Sequence, residues 1–334
     1  MKAFIRSAGS YVPSRVLTNH DLALEMDTSD EWIFNATGIH KRRIADAAEA
    51  ASDLGTNAAL AAIQATARDG GLPIDPLKID LVLTATATPD YQGFPSTASI
   101  IQDRIGARNA GAMDVVAACT GFIYALETAR NFILAGSARH VLVIGTEIFS
   151  RIVNWKDRST CVLFGDGAGA VIVSATDDPG VGEIKKSYLR SDGSGAVHLL
   201  RPAGGTRTPY VHGKVPETDL FVHMNGRQVY IFAVGAIIET INALLAANQL
   251  TMDDITYVVP HQANRRIIEA ACKRENWPDC KFHMNMDEYA NTSAASIPIA
   301  LDELYREGKL QRGQKILTVG FGAGLSYGGN ILSW

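Results

Sequence analysis

Three short segments carry side chains that could do covalent chemistry together. They are Cys119 in "DVVAACTGFIYALETA" (114–129), His261 in "VVPHQANRR" and Asn291 in "YANTSAASIPIALDEL". A thiolate is both a good nucleophile and a good leaving group, which suits transfer of an acyl group through a thioester. A neutral imidazole and a carboxamide can both donate hydrogen bonds. Cys119 falls where an apolar strand-like run meets a helix-like run, among the small residues Ala117, Ala118, Gly121 and Ala125. At a helix N-terminus, unpaired N–H groups and the macrodipole favour the anion. The expectation is therefore a thiol pKa below about 8.5, with N–H groups placed to hold an oxyanion and Gly121 leaving room for the acyl group.

Each of these residues also has a plainer reading. A free cysteine is most often buried and inert, a loop histidine is often only a surface residue, and "NTS" reads as the start of a helix. His261 differs from the other histidines in directly following a buried apolar strand, with Pro260 ending that strand and Asn264 capping the helix beyond. The tiny residues Thr292 to Ser296 suit close backbone approach.

The elements that must position these residues alternate along the chain. Helical signals at 52–71, 96–106 and 119–136 interleave with strand signals at 79–88, 110–118, 140–147 and 165–175. The second half continues with helices at 235–250, 265–275 and 296–308, a strand into a loop at 255–264, and a strand into a glycine turn at 315–324. Such alternation predicts an α/β protein with a mostly parallel sheet covered by helices.

Shifting the first half by 175 or 176 residues superimposes these signals. Ile79-Asp80-Leu81-Val82 falls on Ile255-Thr256-Tyr257-Val258, and "VLVIG" (141–145) falls on "ILTVG" (316–320). A repeat this long implies two fused copies of one structural unit, here 1–175 carrying Cys119 and 176–334 carrying His261 and Asn291. Ligands of such sheets collect beyond the strands' carboxyl ends, so pseudo-symmetric halves would bring all three residues to one crevice.

Bulk composition narrows the classes. The chain has 334 residues, a net charge of −4, 47% hydrophobic and 20% charged residues, which gives no sign of nucleic-acid binding. Cysteines 119, 161, 272 and 280 lack metal spacing, and a reducing cytoplasm is the expected home. The N-terminus shows no signal peptide, and no uninterrupted apolar run reaches the roughly 18 residues of a membrane span, so membrane insertion is not expected. "FGDGAGA" (164–170) fits a dinucleotide fingerprint, but a strand follows it where a helix is required, so NAD binding is excluded.

"AACTGF", "PHQAN", "NTSAAS", "FGDGAGA" and a terminal "GFGAG", in this order, resemble β-ketoacyl-ACP synthase III of the thiolase superfamily, and the likeness covers essentially the whole chain. The resemblance implies a thiolase-like fold and a homodimer. It implies that Cys119 takes an acyl group from acyl-CoA, and that His261 and Asn291 stabilise the enolate formed when malonyl-ACP loses CO2. Backbone N–H groups of Cys119 and Ala323 would form the other oxyanion hole. Trp32, Arg158 and Asn264 would bind CoA; Arg265, Arg266, Lys273 and Arg274 would dock the acyl carrier protein; Phe94 and Phe321 would bound the acyl tunnel. No cofactor is implied, since acyl-CoA and malonyl-ACP are substrates.

Thiolases would place a second cysteine in the C-terminal glycine turn, and hydroxymethylglutaryl-CoA synthases a Glu close to the nucleophile; "GFGAG" has no such cysteine and "MDVVAACTGF" no such Glu. Elongating synthases use a second histidine where Asn291 stands. Three departures are visible: Ala36 where the family often has Arg, Ile231 where a basic residue is common, and Ala323 in place of glycine. CoA phosphate binding would then be weaker or supplied by Lys41, Arg42 or Arg43, and Arg227 would stand in near Ile231. The competing readings are a related acyltransferase or condensing enzyme of specialised metabolism with another acceptor, and a non-catalytic scaffold.

Overall fold

A computed structural model describes residues 1–67 and 72–334 of the chain, so the end of the helix expected over 52–71 lies outside the described residues. Two sheets organise it. The first runs β1 (Lys2–Tyr11), β7 (Asp166–Thr176), β6 (His140–Ile148), β4 (Leu81–Ala85) and β5 (Gly111–Val115), in that order. The second runs β11 (Tyr257–Pro260), β12 (Lys315–Gly322), β13 (Ser326–Ser333) and β8 (Tyr188–Ser191). Two-stranded ribbons pair β2 (Arg15–Thr18) with β3 (Lys41–Ile44), and β9 (Leu199–Leu200) with β10 (His223–Met224).

The helices are α1 (Asn19–Glu25), α2 (Asp30–Thr37), α3 (Ala51–Ala65), α4 (Thr97–Arg104), α5 (Gly121–Leu134), α6 (Gly226–Ala247), α7 (Arg265–Glu275), α8 (Met286–Tyr289) and α9 (Ser296–Arg306). α3 and α4 cover the outer face of the first sheet, α5 and α9 lie between the sheets, and α6 with α7 covers the second sheet. The result is a five-layer α–β–α–β–α stack. Elements buried on both faces need apolar residues all round, which is why β4 and β6 read as continuous apolar runs.

The repeat read from the sequence reappears in strand pairing. Val82 of β4 lies beside Leu142 of the parallel neighbour β6, and Val258 of β11 lies beside Leu317 of β12. In both sheets the next strand, β7 or β13, then turns antiparallel, so the sheets are mixed rather than mostly parallel as expected. The halves interlock: Gly169 in β7 lies so close to α9 that a Cβ would stand 2.6 Å from Ile299 N. The glycines of "FGDGAGA" thus let a helix approach a strand and cradle no phosphate.

Two elements differ from expectation. α6 starts at Gly226, nine residues before the reading of the sequence, with Asn225 accepting from Gln228 N. It is also long and apolar enough to cross a membrane, but it buries Ala233, Ile237, Ile241 and Leu244 against the second sheet. The helix carrying the nucleophile is preceded by a 3-10 turn, Ala118–Thr120, so Cys119 sits just before α5.

Candidate active site

Cys119, His261 and Asn291 line one cavity of about 370 Å³, together with Phe321, Gly322 and Ala323. The three side chains expected to share a crevice are thus brought together. Exposure falls from mouth to floor: Trp32 is 43% exposed, whereas Cys119 is 7%, Asn291 6% and His261 1% exposed.

The turn before α5 holds Cys119 with Ala118 at φ 45°, a left-handed conformation uncommon outside glycine. Gly322 presses against it, since a Cβ there would stand 2.9 Å from Cys119 Cβ. Gly121 does not face the cavity as expected: a Cβ on it would meet Ala85 Cβ at 3.0 Å, so it packs α5 onto β4. Burial pushes the Cys119 thiol up to about 12, with Ser293 opposing the shift in part and Glu147 adding to it. The expected low pKa is thus overturned for the resting protein, because the desolvation of a fully buried thiolate outweighs what a helix end returns.

His261 follows β11. Its N–H donates to Val319 O at 2.7 Å, and its ring meets Phe321 edge-on at 5.3 Å between centroids. Nδ1 lies 2.7 Å from Ser296 Oγ. Burial lowers the imidazole pKa to about 3, so the ring is neutral across the physiological range. Asn291 Oδ1 accepts from Ser293 N at 2.9 Å. That bond fixes the amide orientation and leaves Nδ2 as the end free to donate into the cavity. A neutral ring and an amide beside a thiol offer nucleophilic acyl transfer and stabilisation of an enolate oxygen.

At the mouth, the Arg158 guanidinium lies 4.6 Å over the Trp32 ring and donates to Asp27 O. Ser29 caps α2, accepting from Trp32 N at 3.1 Å. Asn264 lines the cavity but its side chain is already engaged, accepting from Arg266 N at 2.9 Å and donating to Ala36 O at 3.0 Å. Arg42 is fully buried on Asn19 Oδ1 and the Val162 carbonyl, and Lys41 pairs with Glu288 at 2.9 Å. Arg43 lies 3.9 Å from the same carboxylate. None of the three is free to replace the arginine absent at Ala36.

Two further placements depart from the sequence reading. Phe94 is 88% exposed and lies outside the cavity lining, because its loop after β4 projects it to solvent; of the two expected tunnel residues, Phe321 lines the cavity. Arg266, Lys273 and Arg274 are exposed along α7 as expected, whereas Arg265 is half-buried with its guanidinium 5.0 Å over Phe34. Packing onto α2 takes Arg265 out of the basic patch.

The sequence reading missed Ser296 and Arg201. Ser296 stood in plain view at the end of "NTSAAS", but nothing local marks a serine whose histidine partner lies 35 residues earlier in the chain. Arg201 lines the cavity at the end of β9, and its Nε donates to Leu220 O at 2.6 Å. Its only signal was a lone cation after the short apolar pair Leu199-Leu200.

A five-layer stack of duplicated halves with a cysteine, a histidine and an asparagine converging on one cavity defines a thiolase-like condensing enzyme. Family profiles described as 3-oxoacyl-[acyl-carrier-protein] synthase III match residues 113–199, and its C-terminal part matches residues 245–334. The chain is 48% identical to the beta-ketoacyl-[acyl-carrier-protein] synthase III of Caldanaerobacter subterraneus subsp. tengcongensis, over 99% of this chain and 98% of that protein. It is 47% identical to the protein of that name from Clostridium acetobutylicum, with the same coverage. The crystal structure of 3-oxoacyl-[acyl-carrier-protein] synthase III from Aquifex aeolicus VF5 superimposes with a TM-score of 0.88 at 41% identity, covering 99% of this chain and all of that one. This chain belongs to the beta-ketoacyl-[acyl-carrier-protein] synthase III family.

Proposed function

We infer that this chain is a 3-oxoacyl-[acyl-carrier-protein] synthase III, which starts fatty acid synthesis by condensing an acyl-CoA with malonyl-ACP. The observation that carries the reading is the convergence of Cys119, His261 and Asn291 on a single cavity. The full-length relatives bear the same name, which disfavours an acyltransferase of specialised metabolism.

In the first half-reaction Cys119 sulfur attacks the acyl-CoA carbonyl. The C–S bond to CoA breaks, and the thiol proton ends on the departing CoA sulfur, so no proton is stored on the neutral His261. In the second, the malonyl C–CO2 bond breaks and its electron pair forms an enolate. His261 and the Asn291 Nδ2 donors hold the enolate oxygen. The enolate carbon then attacks the Cys119 thioester, whose oxyanion is met by the N–H groups of Cys119 and Ala323. Cys119 sulfur leaves with the bonding pair and takes up one proton from solvent, as the high proton affinity of its buried site favours. Every donor in these steps comes from the chain, so the reaction as written calls for no cofactor.

Acyl carrier protein is acidic, and the exposed Arg266, Lys273 and Arg274 on α7 are the docking patch of this reading; Trp32, Arg158 and Asn264 at the mouth serve CoA. A homodimer belongs to it as well. β5 is the open edge of the first sheet, Val116 beyond it is 80% exposed, and Asp114 ties β5 to the segment behind Phe94 through Thr97 N and Ala98 N at 2.8 Å. An unpaired edge beside exposed apolar side chains favours pairing with a second copy. A cytoplasmic location fits the four free cysteines.

Intact-mass analysis after mixing with a panel of acyl-CoAs tests the first step: one acyl adduct is expected, absent in Cys119→Ser. Release of CO2 that depends on malonyl-ACP tests the second. Acyl transfer without CO2 release would favour another acceptor instead.

A further inference from the structure

His261 and Ser296 form a buried pair whose hydrogen atoms can be fully accounted for. His261 is 1% and Ser296 2% exposed, and Ser296 Oγ stands 2.7 Å from His261 Nδ1. The same oxygen accepts from Gln262 N at 3.4 Å, a group that can only donate. The Ser296 hydroxyl hydrogen therefore needs an acceptor, and among the described residues His261 Nδ1 is the one its oxygen reaches. Were the ring proton on Nδ1, Ser296 would accept from two N–H groups and its own hydrogen would be buried without a partner. Buried donors without partners are disfavoured. The Ser296 O–H→Nδ1 arrangement leaves nothing unpaired, and a neutral ring must then carry its proton on Nε2.

We propose that Ser296 is a positioning residue for the decarboxylation step: by donating to Nδ1 it holds His261 in the tautomer that presents Nε2–H to the enolate oxygen. The opposite tautomer would turn a lone pair toward that oxygen and repel it. No proton moves in the step. The C–CO2 bond breaks, its electron pair passes into the enolate, and the Nε2–H hydrogen bond strengthens as charge builds on oxygen. The proposal rests on the function inferred above and adds the residue that sets the polarity of its histidine.

The first test compares wild type, Ser296→Ala and Ser296→Thr in two assays: acetyl-CoA-dependent formation of the acyl-enzyme, and CO2 release from malonyl-ACP. Ser296→Ala is expected to acylate within about twofold of wild type, while kcat for CO2 release falls at least tenfold with KM unchanged; Ser296→Thr, which keeps the hydroxyl, recovers part of the loss. Nitrogen-15 NMR of the histidine-labelled wild-type protein, with His261→Asn to assign the signal, reads the tautomer directly and needs no variant at Ser296 to fold. A protonated Nε2 and a hydrogen-bonded, unprotonated Nδ1 are expected. A protonated Nδ1 would overturn the proposal, as would wild-type CO2 release by Ser296→Ala or an equal loss in both assays. If the wild type releases no CO2 from malonyl-ACP, the inferred function fails while the NMR result still decides the tautomer.

Discussion

Gly145 of β6 lies directly under the Ala294 carbonyl: a methyl group on its Cα would stand 2.2 Å from that oxygen and 3.1 Å from Ala295 Cα. The turn running on from Asn291 is thereby seated on the strand of the half that carries Cys119. Only a residue without a Cβ permits this approach, because the obstructing atoms are backbone. Gly145→Ala is expected to lower stability by roughly 1–3 kcal/mol, the usual cost of overpacking a filled interior. Gly235 is the counter-case. It is exposed in the middle of α6 with nothing within 4 Å of an added Cβ, so Gly235→Ala should raise stability by roughly 0.5–1 kcal/mol through helix propensity. Urea midpoints of the two variants should move in opposite directions; a shared midpoint would contradict the close approach.

The resting Cys119 thiol sits near 12 because burial disfavours its thiolate. An alkylating reagent such as iodoacetamide reacts with the thiolate, so its rate should climb about tenfold per pH unit from pH 7 to 10 without levelling off. A helix-end thiolate with a depressed pKa would instead plateau below pH 8.5. The pH profile of Cys119 modification, read by mass, separates the two.

The sequence made the scaffold legible where periodicity and burial agree. β4, β6 and β12 are apolar on both faces, and the offsets that aligned Val82 with Val258 and "VLVIG" with "ILTVG" correspond to the same strand neighbours in the two sheets. The convergence of Cys119, His261 and Asn291 was legible because each ends a strand or opens a helix. What the sequence hid was set by tertiary packing. Gly121 and Arg265 carry the right residue types for substrate and carrier contacts, but Ala85 and Phe34 occupy the faces they turn to. The proton affinity of Cys119 was misjudged for the same reason: a helix end can be read from local sequence, but the depth at which it is buried cannot.

Asn291 separates the two half-reactions. Its Oδ1 is held by Ser293 N and its side chain lines the cavity, so in the proposed reaction Nδ2 is the group that donates to the enolate. Asn291→Ala should form the acyl-enzyme at close to the wild-type rate and lose roughly 10²–10³ in condensation, as expected on removing one oxyanion donor. Because His261 is already neutral down to about pH 3, the residual CO2 release from malonyl-ACP should show no inflection between pH 5 and 8. Rapid-quench acylation and CO2 release across that range provide the measurement. A step near pH 6.5 would mean that the histidine titrates in the site.

Arg201 bears on how the mouth meets an anion. Its Nε is tied to Leu220 O, which aims the guanidinium while leaving its terminal nitrogens for a ligand, and it is exposed where it lines the cavity. Lys41 and Arg43 are drawn to Glu288, Arg42 is buried, and Arg158 lies on Trp32. With Ala36 offering no charge, Arg201 joins Arg158 as a guanidinium at this mouth with donors to spare for phosphate. Arg201→Ala should raise KM for acyl-CoA roughly fivefold, the scale of a solvent-exposed ion pair, with kcat for acylation unchanged. An acyl-pantetheine without phosphates should be used equally well by both proteins, and the fivefold gap should narrow as salt rises from 50 to 500 mM. Equal losses on acyl-CoA and acyl-pantetheine would trace the defect to the β9–β10 ribbon rather than to phosphate recognition.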